Sequence, residues 1–325
     1  MPIASPGPLT RRRRPPRAAR SAARLTLLAA LAASLGAAGA GSAQEPAADH
    51  HIHGLAVPPG DPESLLVATH TGLVRLRGSA PPEWIGTPMD LMGFTAHPRE
   101  PGLVFASGHP DLETYRKQKV GMLGVLVSRD GGRTWRSVAL AGRADFHALA
   151  YTPRDGGQLY GWTVGDPPGL VRVTVATWAT ESLAAPGLAD VLSLSASPDG
   201  DGPLWAGTKG GLLVSRDAGR TWLRAPGLVG ERPVPAVKHH VGDPRVAFAS
   251  VVEAVPALLR TRDGGATWER TAFAADPADP IVALAVGPGE VVVMATAKSD
   301  VARSDDGGRT WRPMVERGRP VGGRR

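Results

Sequence analysis

Short apolar runs alternate with turn residues along most of the chain. Residues 191–227 show the pattern clearly: "VLSLSASP" alternates into a turn, "PLWAGTKGG" is a β run ending in Gly, "LLVS" is a third, and "TWLRAPG" a fourth. The same order returns at 146–183 ("FHALAYTP", "QLYGWTVGD", "GLVRVTV", "TWATESL") and at 281–316 ("IVALAVGP", "EVVVMATAK", "VARS", "TWRPMVE"). Strands of this length separated by turn signals, with no helical periodicity, predict an all-β protein. The run "AVKHHVGDP" (236–244) alternates poorly and is the weakest of these signals.

The tryptophans give the period. Trp84, Trp135, Trp178, Trp222, Trp268 and Trp311 are 51, 43, 44, 46 and 43 residues apart. Six such units of about 45 residues match four-stranded propeller blades, so the fold class is a six-bladed β-propeller over 51–316, closing blade 1 on blade 6. Between strands three and four, four units carry an octapeptide: "SRDGGRTW" (128–135), "SRDAGRTW" (215–222), "TRDGGATW" (261–268) and "SDDGGRTW" (304–311). Gly supplies the positive φ of a tight turn, and Asp with Ser or Thr bonds backbone N–H groups within it. The Trp should open strand four and pack on the neighbouring sheet. Asp130, Asp217, Asp263 and Asp306, with Trp135, Trp222, Trp268 and Trp311, are therefore read as structural fasteners.

These octapeptides resemble the Asp-box, or bacterial neuraminidase (BNR) repeat, found in sialidases, other glycosidases, sortilin-type receptors and photosystem II assembly propellers. The stretch 50–316 as a whole is similar to bacterial secreted, glycosyl-hydrolase-like Asp-box proteins. The resemblance implies a propeller and leaves activity open between binding and glycoside hydrolysis. Blades 1 and 3 depart from the box, with "GSAPPEW" (78–84) and "TVATW" (174–178). Sialidase chemistry would need a Tyr nucleophile, a Glu partner, an Asp acid/base and three Arg on the substrate carboxylate, the first in an early Arg-Ile-Pro stretch. Here that strand reads "HIHGLAVPP" and holds no Arg, so the family's arginine triad does not carry over.

Charge then divides the chain. Residues 1–43 hold seven Arg and no acidic residue, followed by the apolar "LTLLAALAASLGAAGAG", the layout of a cleaved secretory signal. Residues 44–50 read as a linker and 317–325 as a disordered basic tail. Beyond the signal, thirty basic residues face thirty acidic ones, so the basic pI does not point to nucleic acid. The expected protein is exported, periplasmic, wall-associated or extracellular, without a membrane span after cleavage, and monomeric. It has no Cys, hence no disulfide and no Cys-based zinc site. No phosphate loop or Ser-His-Asp elbow occurs. The Ala, Arg, Gly and Pro bias fits a GC-rich bacterial genome.

Chemistry gathers where the first strands begin. Aligned starts "HIHGLAV" (51–57), "LMGFTA" (91–96), "DFHALAY" (145–151), "DVLSLSA" (190–196), "VPAVKH" (234–239) and "IVALAV" (281–286) put His53, Met92 and His147 at one position in blades 1 to 3. Leu192, Pro235 and Val282 fill that position in the other blades; two residues earlier stand His51, Asp90, Asp145 and Asp190. His70 ("ATHTGL") and His109 ("SGHPDL") come from loops between strands two and three on the same face. His53, His70, Met92, His109 and His147 are thus candidate ligands for a transition metal, copper or zinc, with Asp90 or Asp145 orienting a ligand His. Two other readings stay open: Asp90, Asp145 and Glu113 as acid/base groups for a sugar, or all of these as polar lining of a hydrated channel. His97 and His240 align on the opposite face as surface residues. The insert "HPDLETYRKQKVG" (109–121) lengthens the first interval and offers Glu113, Tyr115 and Arg116 to a glycan, small ligand or envelope protein.

Overall fold

The computed structural model describes residues 51–321; the signal and linker expected for 1–50 lie outside these. Six antiparallel sheets follow one another along the chain. Blade 1 is β1 (Ile52–Ala56), β2 (Ser64–Thr69), β3 (Gly72–Arg77) and β4 (Glu83–Ile85). Blade 2 is β5 (Met89–Ala96), β6 (Val104–Pro110), β7 (Val125–Ser128) and β8 (Arg136–Ala139), with helix α1 (Leu112–Gln118) between β6 and β7. Blade 3 is β9 (Phe146–Thr152), β10 (Gln158–Thr163), β11 (Gly169–Thr174) and β12 (Ala179–Leu183). Blade 4 is β13 (Val191–Ala196), β14 (Leu204–Thr208), β15 (Gly211–Ser215) and β16 (Leu223–Arg224). Blade 5 is β17 (Val237–His239), β18 (Ala247–Val251), β19 (Ala257–Thr261) and β20 (Glu269–Arg270). Blade 6 is β21 (Ile281–Val286), β22 (Val292–Thr296), β23 (Val301–Ser304), β24 (Arg312–Glu316) and β25 (Arg319–Pro320).

Packing explains the continuous apolar second strands. In β2, Leu65 and Val67 join a core shared with blade 6, while Leu66 and Ala68 join one shared with blade 2. Successive side chains point to opposite faces, and both faces of a blade are covered, so the strand reads apolar throughout. Six apolar clusters fill the six junctions, one between each pair of neighbouring blades. Each blade comes from one continuous segment, so blade 6 meets blade 1 by side-chain packing, without a shared strand. Arg303 of β23, about 1% exposed, fastens this junction: Nη1 donates to Pro62 O at 2.5 Å in the blade 1 turn, and Nε to Asp305 Oδ1 at 2.7 Å. Arg260 holds the same position in blade 5 and reaches Glu290 and Gly307 O of blade 6.

The Asp-box works as expected. Asp130 Oδ1 accepts from Ser128 Oγ at 2.7 Å and from Thr134 N at 2.9 Å, and Oδ2 from Thr134 Oγ1 at 2.6 Å. Asp217, Asp263 and Asp306 repeat the set. These bonds stabilise the ionised carboxylates and hold Asp130, Asp217 and Asp263 down at about 2. Gly132 must be glycine: its φ is +94°, and a Cβ would lie 2.2 Å from Leu73 of blade 1. Trp135, Trp222, Trp268 and Trp311 pack in the junction with the preceding blade, each just before strand four rather than inside it.

Two local features differ from the sequence reading, the 109–121 insert and the end of the last sheet, while blade 5 follows it. The 109–121 insert contains a helix, α1, capped by Asp111, which accepts from Glu113 N and Thr114 N. Seven residues are too few to show a periodic apolar stripe. Blade 5 has an inner strand of only three residues, in keeping with its poor alternation. The sheet also runs past 316, because β25 pairs with β24 within the stretch read as tail.

Candidate functional site

The aligned first-strand position is a β-bulge. In β1, Ile52 pairs with Thr69 and Gly54 with Ala68, leaving His53 as the extra residue. His147 is extra in β9, Leu192 in β13 and Val282 in β21, and Met92 lies in the longer irregularity of β5. A bulge re-aims its side chain and is common beside functional sites. The innermost strands adjoin in ring order, so these bulges stand around the mouth of one axial channel.

His53 and His70 meet there. The two-residue hairpin between β2 and β3 carries His70 over the mouth, and Thr69 Oγ1 ties the turn to Gly72 O at 2.9 Å. His53 Nε2 and His70 Nε2 lie 3.1 Å apart, and His70 Nδ1 lies 2.8 Å from Asp90 Oδ1. One ligand atom each of His53, His70 and Asp90 fall within 4.8 Å of one another. His51 flanks the group, its ring 5.7 Å from that of His70. Burial, then the charges of His70, His51 and His147, push His53 down to about 3, so its imidazole is neutral at ordinary pH.

A second group adjoins the first. Asp145 Oδ2 lies 2.7 Å from His147 Nε2 and 3.2 Å from His109 Nε2. His109 Nδ1 lies 2.6 Å from Gly121 O, which ties the far end of the 109–121 insert to β6. The Asp145 carboxylate raises His109 to about 9, making it an imidazolium. Despite a desolvation cost that acts the other way, the two imidazoles hold the buried Asp145 well below the usual carboxylate range. Its Oδ1 is buried and has no hydrogen-bond partner among the described residues. The register of β5 and β6 sets Asp90 opposite His109. Gly108 permits it: a Cβ there would lie 1.8 Å from Asp90 O.

The structure thus joins His53 to His70 and Asp90, and His147 to His109 and Asp145, where the sequence had offered His53, His70, Met92, His109 and His147 as one candidate set. Met92 is half-buried in β5. Glu113, Tyr115 and Arg116 lie on exposed α1, where Glu113 pairs with Lys117 at 2.6 Å, away from both imidazole groups in its bonding. His97 and His240 cap equivalent turns on the other face, each Nδ1 accepting two backbone N–H groups. Reasoning from sequence missed Lys238, whose side chain enters the channel, and Arg260 and Arg303; a charged residue just before the box Ser or Thr was the available signal for the arginines.

Fold and box turns together define a six-bladed propeller of the Asp-box, or BNR, type. A family model described as photosynthesis system II assembly factor YCF48 matches residues 207–323, the later part of blade 4 with blades 5 and 6. No curated protein matches the chain. Among solved structures, an ancestral GH74 enzyme is similar with TM-score 0.53 and 14% identity, covering 83% of this chain and 39% of that one. The GH74 xyloglucanase from Xanthomonas campestris gives 0.49 and 18%, covering 80% and 45%, and YCF48 bound to D1 peptide gives 0.43 and 15%, covering 71% and 68%. The chain spans less than half the length of either GH74 structure, and identities this low show the shared fold alone. No helix among the described residues is long and apolar enough to cross a membrane.

Proposed function

We propose that this propeller is a binding protein that holds a transition-metal ion, copper or zinc, at the channel mouth of blades 1 to 3. The carrying observation is the pair of Nε2 atoms of His53 and His70, 3.1 Å apart. Two imidazole nitrogens at about 2.0–2.1 Å from a tetrahedral ion stand about 3.3–3.4 Å from each other. Both rings point nitrogen to nitrogen, and little movement is needed to admit an ion between them. Asp90 accepts from His70 Nδ1–H, which leaves Nε2 with its lone pair and fixes the ring, the usual carboxylate–histidine–metal arrangement. His53, neutral at ordinary pH, needs no deprotonation to bind. The orphaned Asp145 Oδ1 offers further negative charge beside the site. His51 and Met92 stand at the rim as additional ligands, and a His/Met set suits copper.

The carboxylates favour binding over glycoside hydrolysis. A general acid needs a raised pKa, whereas Asp145 is held ionised by two imidazoles. With the leader expected at 1–43, this activity belongs outside the cytoplasm. Calorimetric titration of the mature chain with Zn2+ and with Cu2+ tests the reading. One ion per chain is expected, with affinity lost in His53→Ala and in His70→Ala and weakened about 10–100-fold in Asp90→Asn. Unchanged titration in all three variants would refute it.

A further inference from the structure

A second ring lies three residues beyond the five bulges and beyond Pro235, the aligned residue of blade 5: Ala56, Thr95, Ala150, Ser195, Lys238 and Ala285, one from each blade. All six line one cavity of about 50 Å3 near the far end of the channel. Five are small and one is a lysine. Blades 5 and 2 face each other across a six-membered ring, and Lys238 Nζ of blade 5 reaches Thr95 Oγ1 of blade 2 at 3.4 Å. The side chain therefore crosses the axis.

Lys238 has no compensating charge there. Among the described residues no carboxylate pairs with its ammonium, and one long bond to a hydroxyl uses one of three N–H donors. Ser195, beside it in the ring, is committed elsewhere: its Oγ accepts from His239 N at 2.9 Å and bonds His239 Nδ1 at 2.8 Å. The neighbouring imidazole, buried and pushed down to about 3, is neutral and supplies no counter-charge. Burial alone lowers the Lys238 ammonium to about 8. Lys238 is half-buried, and a partly desolvated ion keeps its charge more cheaply when paired. The cavity has room for several heavy atoms, since one water needs about 10–15 Å3 by the same measure.

We propose that this end of the channel is a site for a small monovalent anion, a halide, nitrate or short carboxylate, held by the Lys238 ammonium with the Thr95 hydroxyl as second donor. It is separate from the imidazole cluster and stands or falls independently of metal binding there. The chain has five lysines, Lys117, Lys119, Lys209, Lys238 and Lys298, so 13Cε NMR of the lysine-labelled mature protein resolves them. Titration is run in sodium chloride, nitrate or acetate and in sodium gluconate, whose anion is too large for the cavity, at equal ionic strength. The pKa of Lys238 should rise by a unit or more, saturably, in at least one small anion and not in gluconate. Lys238→Met should remove that resonance and the extra thermal stability that the same anion confers. An identical lysine titration in all four salts would overturn the proposal, and so would an equal thermal gain in Lys238→Met; if that variant does not fold, the wild-type titration alone decides.

Discussion

Replacing Arg303 by Met tests how the ring is held shut. The guanidinium is the polar fastener of the blade 6–blade 1 junction, which lacks a shared strand. Met keeps most of the apolar stem and removes the charge. Lost outright is a buried charge-assisted bond to Pro62 O, worth about 1.5–3 kcal/mol. The Asp305 partner is half exposed and keeps Arg312 nearby at 3.4 Å, so that pair adds only about 0–1 kcal/mol. Glu63 at 3.8 Å is more exposed still and adds little. The sum is about 1.5–4 kcal/mol, or roughly 3–16 °C in the melting midpoint of a domain this size. Urea unfolding followed by circular dichroism measures it, with Arg312→Met as the exposed control, expected to lose less than about 1 kcal/mol. If Arg303→Met costs no more than Arg312→Met, the junction is held by the apolar cluster alone and the reasoning fails.

Other consequences follow from the same geometry. Gly108→Ala should destabilise by about 1–3 kcal/mol and weaken metal binding, because its Cβ would collide with Asp90 O at 1.8 Å and displace the carboxylate that orients His70; full retention of metal affinity would contradict this. Asp217→Ala should lower the melting midpoint while leaving metal binding unchanged, since its bonds lie within the box turn of blade 4; a loss of bound metal would show that the box does more than fasten. His239 is buried neutral and has a folded pKa of about 3 against 6.5 unfolded, so the stability it contributes is full above pH 6.5 and lost as pH falls towards 3; melting midpoints from pH 7 to 4 should fall less steeply in His239→Gln, and equal slopes would refute the assignment.

Blade count, the strand-three-to-four position of the box and the Trp contacts were legible in the sequence, because each repeats with the blade. The site was legible in part. Alignment placed His53, Met92 and His147 at one position, yet only pairing registers reveal that the position is a bulge, since in β1 and β9 it sits one residue from the strand start, where too few residues precede it to show a break in alternation. Which imidazoles meet depended on loop geometry: a two-residue hairpin brings His70 to His53, and His109, near the end of β6, reaches Asp145 just before β9. Lys238 was hidden by the poor alternation of its short strand, where nothing in the local sequence says that its five counterparts in the ring are small or uncharged.

Metal content of the mature, tag-free protein tests the central claim most directly. It should be loaded with Zn2+ or Cu2+, desalted and quantified beside a His53→Ala/His70→Ala double variant of confirmed fold. The account predicts one tightly held ion per wild-type chain and a loss of most of it in the double variant. Equal metal in both proteins, or none in either, would contradict it.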